Sequence, residues 1–400
     1  YVILVIGLTL YPYVYLLSRT SFMNQGRAIL EASQTLGLPP SRAFFKVALP
    51  MSRPWIVSGL ALVLMETLAD FGAVSIFNYD TFTTAIYKSW FGFFSLKAAA
   101  QLSSLLVLLA VTLVFVEGLF KKRMRYYDSS RGGATHTRLK LQGWSAFWVV
   151  TYCSSILLIA FVVPVFQLTL WSLKVLRSGE SAAYLEVIFK TLFLGATAAV
   201  IICLAAVLLA YSRRRNKSWG NRVLSRIATV GYALPGTVLA VGIFIPISKF
   251  DNLLREALQA IAHIDPGPLL QGTLVVMLAA YLIRFLAVGF GAVDSGMQNI
   301  KPSLDEASAI LGRSGGETLR MIHFPLLKKG LLTALVLVLV DVIKEMPITL
   351  MTRPFGWDTL AVKIYELTSE GEWVRAALPG SYLVLAGIIP VILLINQMEK

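Results

Sequence analysis

The sequence predicts an all-α integral membrane protein, a polytopic helical bundle of nine spans in two related halves. Three observations carry that prediction. Apolar residues make up 56% of the 400 and charged residues 14%, with a mean hydropathy of +0.71, far from the composition of soluble globular domains. Nine apolar runs approach or exceed the roughly 20 helical residues that cross a hydrocarbon core of about 30 Å. The chain also repeats itself over most of its length. Backbone groups in lipid must bond within their own segment, so the spans are helices.

In chain order the runs lie near 1–18, 54–77, 98–120, 146–172, 187–211, 226–248, 270–292, 330–351 and 378–397. Between them the connecting segments alternate in charge. Segments 19–53, 121–145, 213–226 and 293–329 hold five, seven, six and five lysines and arginines, 23 in all, whereas 78–97, 173–186, 249–269 and 352–377 hold nine. The positive-inside rule places the first set in the cytoplasm. It also accounts for most of the net charge of +14, so the basic excess is topology and not a nucleic-acid footprint. The basic, glycine-containing stretch "KKRMRYYDSSRGGATHTRLK" opens segment 121–145, which reads as a flexible cytoplasmic linker.

Cys153 and Cys203 fall inside spans and read as small core residues. His136, His263 and His323 do not cluster at metal-ligand spacing and read as solvated or packed imidazoles. No certain metal site emerges from these residues. The chain begins at Tyr1 within a span.

Sliding the sequence by 275 residues aligns "EASQTLGLPPSRAFFKVALP" (31–50) with "EASAILGRSGGETLRMIHFP" (306–325). Glu31, Ala32, Ser33, Gly37 and Pro50 fall on Glu306, Ala307, Ser308, Gly312 and Pro325. Past the next span a shift of 278 aligns "DTFTTAIY" (80–87) with "DTLAVKIY" (358–365). The repeat divides the chain into residues 1–120, a linker at 121–145 and residues 146–400. The second part has six spans and the first only three, which match the last three of a six-span unit. Three further spans are therefore expected before Tyr1, giving twelve in the intact protein. Repeats of this kind build transporters with a path between two halves.

In each copy, small and apolar groups precede a glycine that lets the backbone turn with positive φ, and a proline restarts the chain at the membrane. In the first copy the side of a short helix is formed by Leu30, Ala32, Ser33 and Leu36. Both copies, with Val47 and Ile322 at the aliphatic position, resemble the EAA loop of binding-protein-dependent ABC importer permeases, the MetI-like fold. The resemblance implies two coupling helices, each seated on a cytoplasmic ABC ATPase subunit, and an external substrate-binding protein. No G-x-x-x-x-G-K-[ST] loop occurs in the chain; "GRSGGETLR" (312–320) has the glycines without the lysine. The resemblance thus puts ATP and Mg on the partner ATPases, and leaves this subunit with no catalytic residues and no cofactor of its own.

The register that aligns the loops also aligns Glu66 with Asp341 and Asp70 with Glu345. At i, i+4 each pair is expected on one helical face, with Lys344 as an internal partner in the second copy. Carboxylates at such depth need protein, countercharge or water. They read as lining or gating a translocation path, with outer-headgroup positions or structural ion pairs as the alternative. Gly72 and Pro347 break both helices nearby. Arg284 reads as snorkelling or pairing with the other half, and "GYALPG" (231–236) as a broken span with a kink at Pro235.

"METLADFGAVSIF", "TFTTAIYKSWFG", "PSLDEAS", "DVIKEMPITL" and "RPFGWDTLAVKIYEL" are similar to fused ferric-iron importer permeases of the bacterial inner membrane. Permeases for thiamine, aminoalkylphosphonate, sulfate and polyamines are close relatives, so these stay open. An ATPase-independent secondary transporter or channel is the alternative from another class.

Overall fold

The computed structural model describes residues 1–123, 141–179, 182–216, 218–263 and 267–398. Most of the expected linker (124–140), with His136, lies outside the described residues. Among the described residues the secondary structure is helical, with no strand.

Helix α1 (Val2–Thr35) leads through a glycine turn to α2 (Pro40–Ala43), a π-helical turn at Phe44–Ala48 and α3 (Leu49–Ala69). Then come α4 (Gly72–Ile76), α5 (Phe82–Tyr87), a π-helical turn at Lys88–Gly92 and α6 (Leu96–Arg123). Next, α7 (Gly143–Leu157) and α8 (Val163–Arg177) form one stretch through a π-helical turn, followed by α9 (Ala182–Arg215) and α10 (Trp219–Thr229). After a 3-10 turn at Val230–Ala233 come α11 (Gly236–Ala262), α12 (Leu274–Gln298), α13 (Pro302–Ile310) and α14 (Gly315–Thr318). The chain closes with a π-helical turn at Leu319–His323, α15 (Phe324–Leu326), α16 (Lys328–Ile343), α17 (Pro347–Thr352), α18 (Leu360–Ser369) and α19 (Trp373–Met398).

Eight helical stretches among the described residues are long and apolar enough to cross a membrane. The ninth expected span, 330–351, is divided: α16 has 16 residues, ends at Ile343, and is followed after Lys344–Met346 by α17. Pro347 lacks an amide donor and favours a helix start, which explains the restart. The expected span 226–248 is displaced for a similar reason. Pro235 stands immediately before α11, so the spanning helix runs Gly236–Ile261 and α10 is a separate helix.

The chain forms two compact units that do not follow the halves of the sequence. Tyr1–Phe82 and Ser104–Phe166 make the first, and Thr83–Ser103 and Gln167–Lys400 the second. In the first unit α1 lies along α3. Gly59 makes this crossing close, because a Cβ there would sit 2.8 Å from the Val14 Cα. Small residues at such contacts let helix backbones approach when lipid supplies no hydrophobic drive. Cys153, expected in a core, is exposed on α7. α7 as a whole buries no residue.

In the second unit, α9, α12 and α16 pack mutually. The alanine-rich face of α9 (Ala198, Ala199, Ala206, Ala210) meets Met277, Tyr281, Phe285 and Val293 of α12 and Val338 and Val342 of α16. Cys203 is buried there, as expected. Ser172 ties α8 to α19, donating to the Ala377 carbonyl (3.0 Å) and lying 2.8 Å from Ser381 Oγ.

Candidate functional site: repeated turns and repeated helix breaks

The two Glu-Ala-Ser segments end in the same turn. Gly37 has φ +81° and Gly312 φ +73°. In the first copy the Gly37 amide donates to Gln34 O (2.9 Å) and the Leu38 amide to Ser33 O (3.1 Å). In the second, the Gly312 amide donates to Ala309 O (3.0 Å) and the Arg313 amide to Ser308 O (3.1 Å). This paired closure of a helix C-terminus requires a left-handed residue, which is what glycine supplies. Ser33 and Ser308 are buried, whereas Ala32, Ala307 and Glu306 are exposed. The Glu31 and Leu30 side chains lie outside what the structure describes. Leu36 and Leu311 are 83% and 77% exposed, an apolar side chain presented outward at one repeat position. The likeness extends past the turns: the π-helical turns at Phe44–Ala48 and Leu319–His323 are offset by 275 residues and hold Val47 and Ile322. Pro50 and Pro325 occupy the first turn of the helix that follows each.

One local difference separates the copies. The first Glu-Ala-Ser forms the end of the long α1 instead of a short helix, while the second occupies a separate helix, α13. Pro302, at the start of α13, corresponds to Arg27 under the 275 shift. Proline interrupts the second copy, and nothing comparable interrupts the first.

Polar contacts that the sequence reading missed fasten the second turn. Arg214, at the end of α9, donates from Nε to Asp305 Oδ2 (2.7 Å) and from NH1 to the carbonyls of Met297 (2.6 Å) and Ile300 (3.0 Å). His323, buried in the π-helical turn, lies with Nε2 2.6 Å from Asp305 Oδ1. The Tyr211 hydroxyl donates to Gly315 O (2.7 Å). Burial alone would raise the Asp305 pKa, but the bonds from Arg214 and His323 outweigh it and hold the carboxyl below its ordinary value. In the first copy Leu30 and Ala48 stand at the positions of Asp305 and His323, so that clamp belongs to the second copy alone. Its one sequence signal was Asp305 beside Glu306. Ser314 and Glu317 form a capping box at α14, which gives "GRSGGETLR" a structural use without phosphate.

The second repeated feature is a carboxylate at a helix break. Glu66 is partly buried on α3, but Asp70 is already outside the helix, with φ −64° and ψ 131°. Its Oδ2 accepts the Val74 amide (3.1 Å) and caps α4. In the second copy, Asp341 is on α16 and Glu345 is beyond its end; Glu345 Oε1 accepts the Ile348 amide of α17 (3.1 Å). The expected single helical face for each pair is therefore not formed, because the break falls between its members. Instead, both second-position carboxylates cap the helix that follows.

Glu345 has a partner deep in the protein. Arg284 Nε is 3.4 Å from Glu345 Oε2, with side chains 14% and 7% exposed. Arg284 NH1 donates to Leu234 O (3.0 Å) at the break before α11. Gly236 leaves room for the pair: a Cβ there would lie 2.7 Å from Glu345 Oε1 and 3.1 Å from Arg284 NH1. Arg284 thus neither snorkels nor pairs with the other half; its partner is within its own. Lys344 Nζ is 2.8 Å from Asp341 Oδ1. The pairs join α12, α16, α17 and the start of α11. Among the described residues, no group of three or more His, Cys, Asp or Glu is placed to hold a metal ion.

A family model described as binding-protein-dependent transport system inner membrane component matches residues 1–126 and 202–396. The chain belongs to that family and is a multi-pass inner-membrane permease of the ABC importer class. The Fe(3+)-transport system permease protein FbpB 2 of Haemophilus influenzae is 25% identical over 394 residues, covering 98% of this chain and 75% of that protein. The ferric transport system permease protein FbpB of Actinobacillus pleuropneumoniae is 26% identical over 379 residues, covering 90% of this chain and 52% of that protein. The putative 2-aminoethylphosphonate transport system permease protein PhnV of Salmonella typhimurium is 26% identical over 216 residues, covering 54% of this chain and 74% of that protein. The chain thus spans three quarters of the first relative and about half of the second.

Proposed function

We propose that this chain is the membrane-spanning subunit of an importer for ferric iron, driven by two cytoplasmic ATPase subunits and supplied by an external binding protein. The observation that carries the reading is the pair of equivalent turns: Gly37 and Gly312, in one conformation, each present an exposed leucine from a basic, cytoplasm-predicted segment. Two like docking elements suit two like partners. ATP binding and hydrolysis on those partners would move the turns, and the helices they precede would switch access to the path. Glu31, Ala32, Ser33, Glu306, Ala307 and Ser308 form the docking segments in this reading, with Pro50 and Pro325 starting the helices that receive the motion.

The path is assigned to the helix breaks at Glu66 and Asp70 and at Asp341, Lys344 and Glu345. Irregular backbone at membrane depth is tolerated where it lines a cavity or is buried in protein. Because Arg284 compensates Glu345, that carboxylate acts as a hinge between α16 and α17 and not as a cation ligand. Iron is favoured over other cargo by the similarity to Fe(3+)-transport permeases over nearly the whole chain. The second reading, 2-aminoethylphosphonate, rests on the shorter match to PhnV.

The test is uptake of radioactive Fe³⁺ into proteoliposomes holding the full-length protein with its ATPase and binding protein. Uptake that requires ATP and resists excess 2-aminoethylphosphonate is expected. ATP-dependent uptake of the phosphonate without iron would overturn the iron assignment.

A further inference from the structure

Under the 278-residue register, Tyr87 and Tyr365 occupy the same position at the end of "DTFTTAIY" and "DTLAVKIY". Both belong to the second compact unit, since Thr83–Ser103 packs there despite coming from the first half of the sequence. Their rings meet edge to face, with centroids 6.1 Å apart and planes at 87°. Counterparts in a twofold repeat are separated by twice their distance from the axis, so only residues beside the axis can touch their own counterparts. The contact marks where the local axis of the repeat passes. In a transporter made of two related halves, the path lies along the interface between them.

We propose that Tyr87 and Tyr365 close the translocation path at its extracytoplasmic end, as a two-phenol gate on the repeat axis. This rests on the permease reading above. Both residues lie in segments on the side opposite the basic loops. The Tyr87 phenol is neutral over the physiological range: burial first, then the neighbouring Tyr365, pushes its hydroxyl up to about 12. The gate therefore opens by movement of its supports and not by titration.

Those supports lead back to the helix break. Glu345 caps α17, and Arg353 follows directly on its last residue, Thr352. Arg353 reaches Asp358 (2.5 Å) before α18 and Glu366 (2.8 Å) within it, while Lys363 adds a contact to Glu366 at 3.3 Å. Tyr365 stands next to Glu366 on α18. A shift of α17 relative to α16 is thereby carried to Tyr365 through charged contacts and not through a loose loop.

The experiment uses the full-length complex in proteoliposomes with Cys153→Ala and Cys203→Ala removing the two thiols of residues 1–400, and any other cysteine of the complex replaced likewise. Tyr87→Cys and Tyr365→Cys are combined, and dibromobimane, which fluoresces when both arms react, reports the cross-link. Cross-linking is expected without nucleotide, slowed by roughly tenfold or more when ATP and vanadate trap the other conformation. Cross-linked protein should lose uptake, while Tyr87→Phe with Tyr365→Phe, which keeps the ring contact, should retain it. No cross-link, an equal rate in both states, or normal uptake by cross-linked protein would overturn the gate. Lack of iron uptake by the unaltered complex would instead overturn the ferric-iron reading.

Discussion

Removing one member of the Arg284–Glu345 pair should cost far more than removing both. Arg284 is 14% exposed beside Glu345, and Glu345→Ala leaves it the Leu234 carbonyl as hydrogen-bond acceptor. A buried charge stripped of its partner costs about 3–5 kcal/mol. Loss of the bond to the Ile348 amide adds about 1 kcal/mol, as for other helix caps. In Arg284→Met with Glu345→Leu no charge is stranded, and apolar replacements of such pairs are often neutral, so the net cost reduces to the cap. Thermal unfolding of the purified protein in nanodiscs reads the difference. At ~2.1 cal/mol/K per residue, the ~250 residues of the second unit give an unfolding entropy near 0.5 kcal/mol/K. The single variant should then melt about 8–12 °C below the unaltered protein and the double variant about 2 °C below it. Equal losses in the single and double variants would refute the reasoning, because they would show that the two charges are not coupled.

Further outcomes follow from the same geometry. Gly231→Ala would place a Cβ 2.0 Å from the Ile283 carbonyl oxygen, so it should destabilise by at least 1–3 kcal/mol, the usual cost of overpacking; Gly220→Ala, with nothing within 4 Å, is the neutral control in the same melting assay. An added Cβ at Gly37 or Gly312 also meets nothing within 4 Å, so Gly37→Glu and Gly312→Glu act through backbone strain of about 1–2 kcal/mol. Each should leave the ATPase running while uptake falls, and normal uptake in both would count against the coupling role. Asp305, held below its ordinary pKa, contributes stability that is fully present above its unfolded value near 3.9 and lost as pH falls through the lower native value. Amide exchange over 302–323, corrected for intrinsic rates, should lose protection only in that acidic window, and in Asp305→Asn at neutral pH.

The parts of this protein that follow from local chemistry were legible in the sequence. Long apolar runs located the spanning helices, and the matched glycines gave positive φ in both copies because no other residue takes that turn as cheaply. Boundaries were misread where one proline decides between continuation and restart. Pro235 and Pro347 start new helices inside runs that hydropathy reads as continuous, and the absence of a proline opposite Pro302 lets α1 run through the first Glu-Ala-Ser. The i, i+4 spacing of the carboxylates was read as a helical face, although Asp70 and Glu345 lie past the helix ends. Arg284 and Glu345 are 61 residues apart in sequence, and Arg214 and Asp305 are 91 apart. No spacing rule reaches partners at such separations. Cys153 shows the same limit from the other side, since an apolar run does not say which face is covered.

The central claim is that the two halves present equivalent docking turns to two ATPase subunits, and site-directed cross-linking tests it most directly. In the full-length complex with Cys153→Ala and Cys203→Ala, Leu36→Cys and Leu311→Cys are introduced one at a time. A cross-linker joins each to a thiol placed on the ATPase. The account predicts an ATPase adduct from each position, one from each half, with both yields changing when ATP is bound. Adducts from neither position, or from one alone, would contradict it.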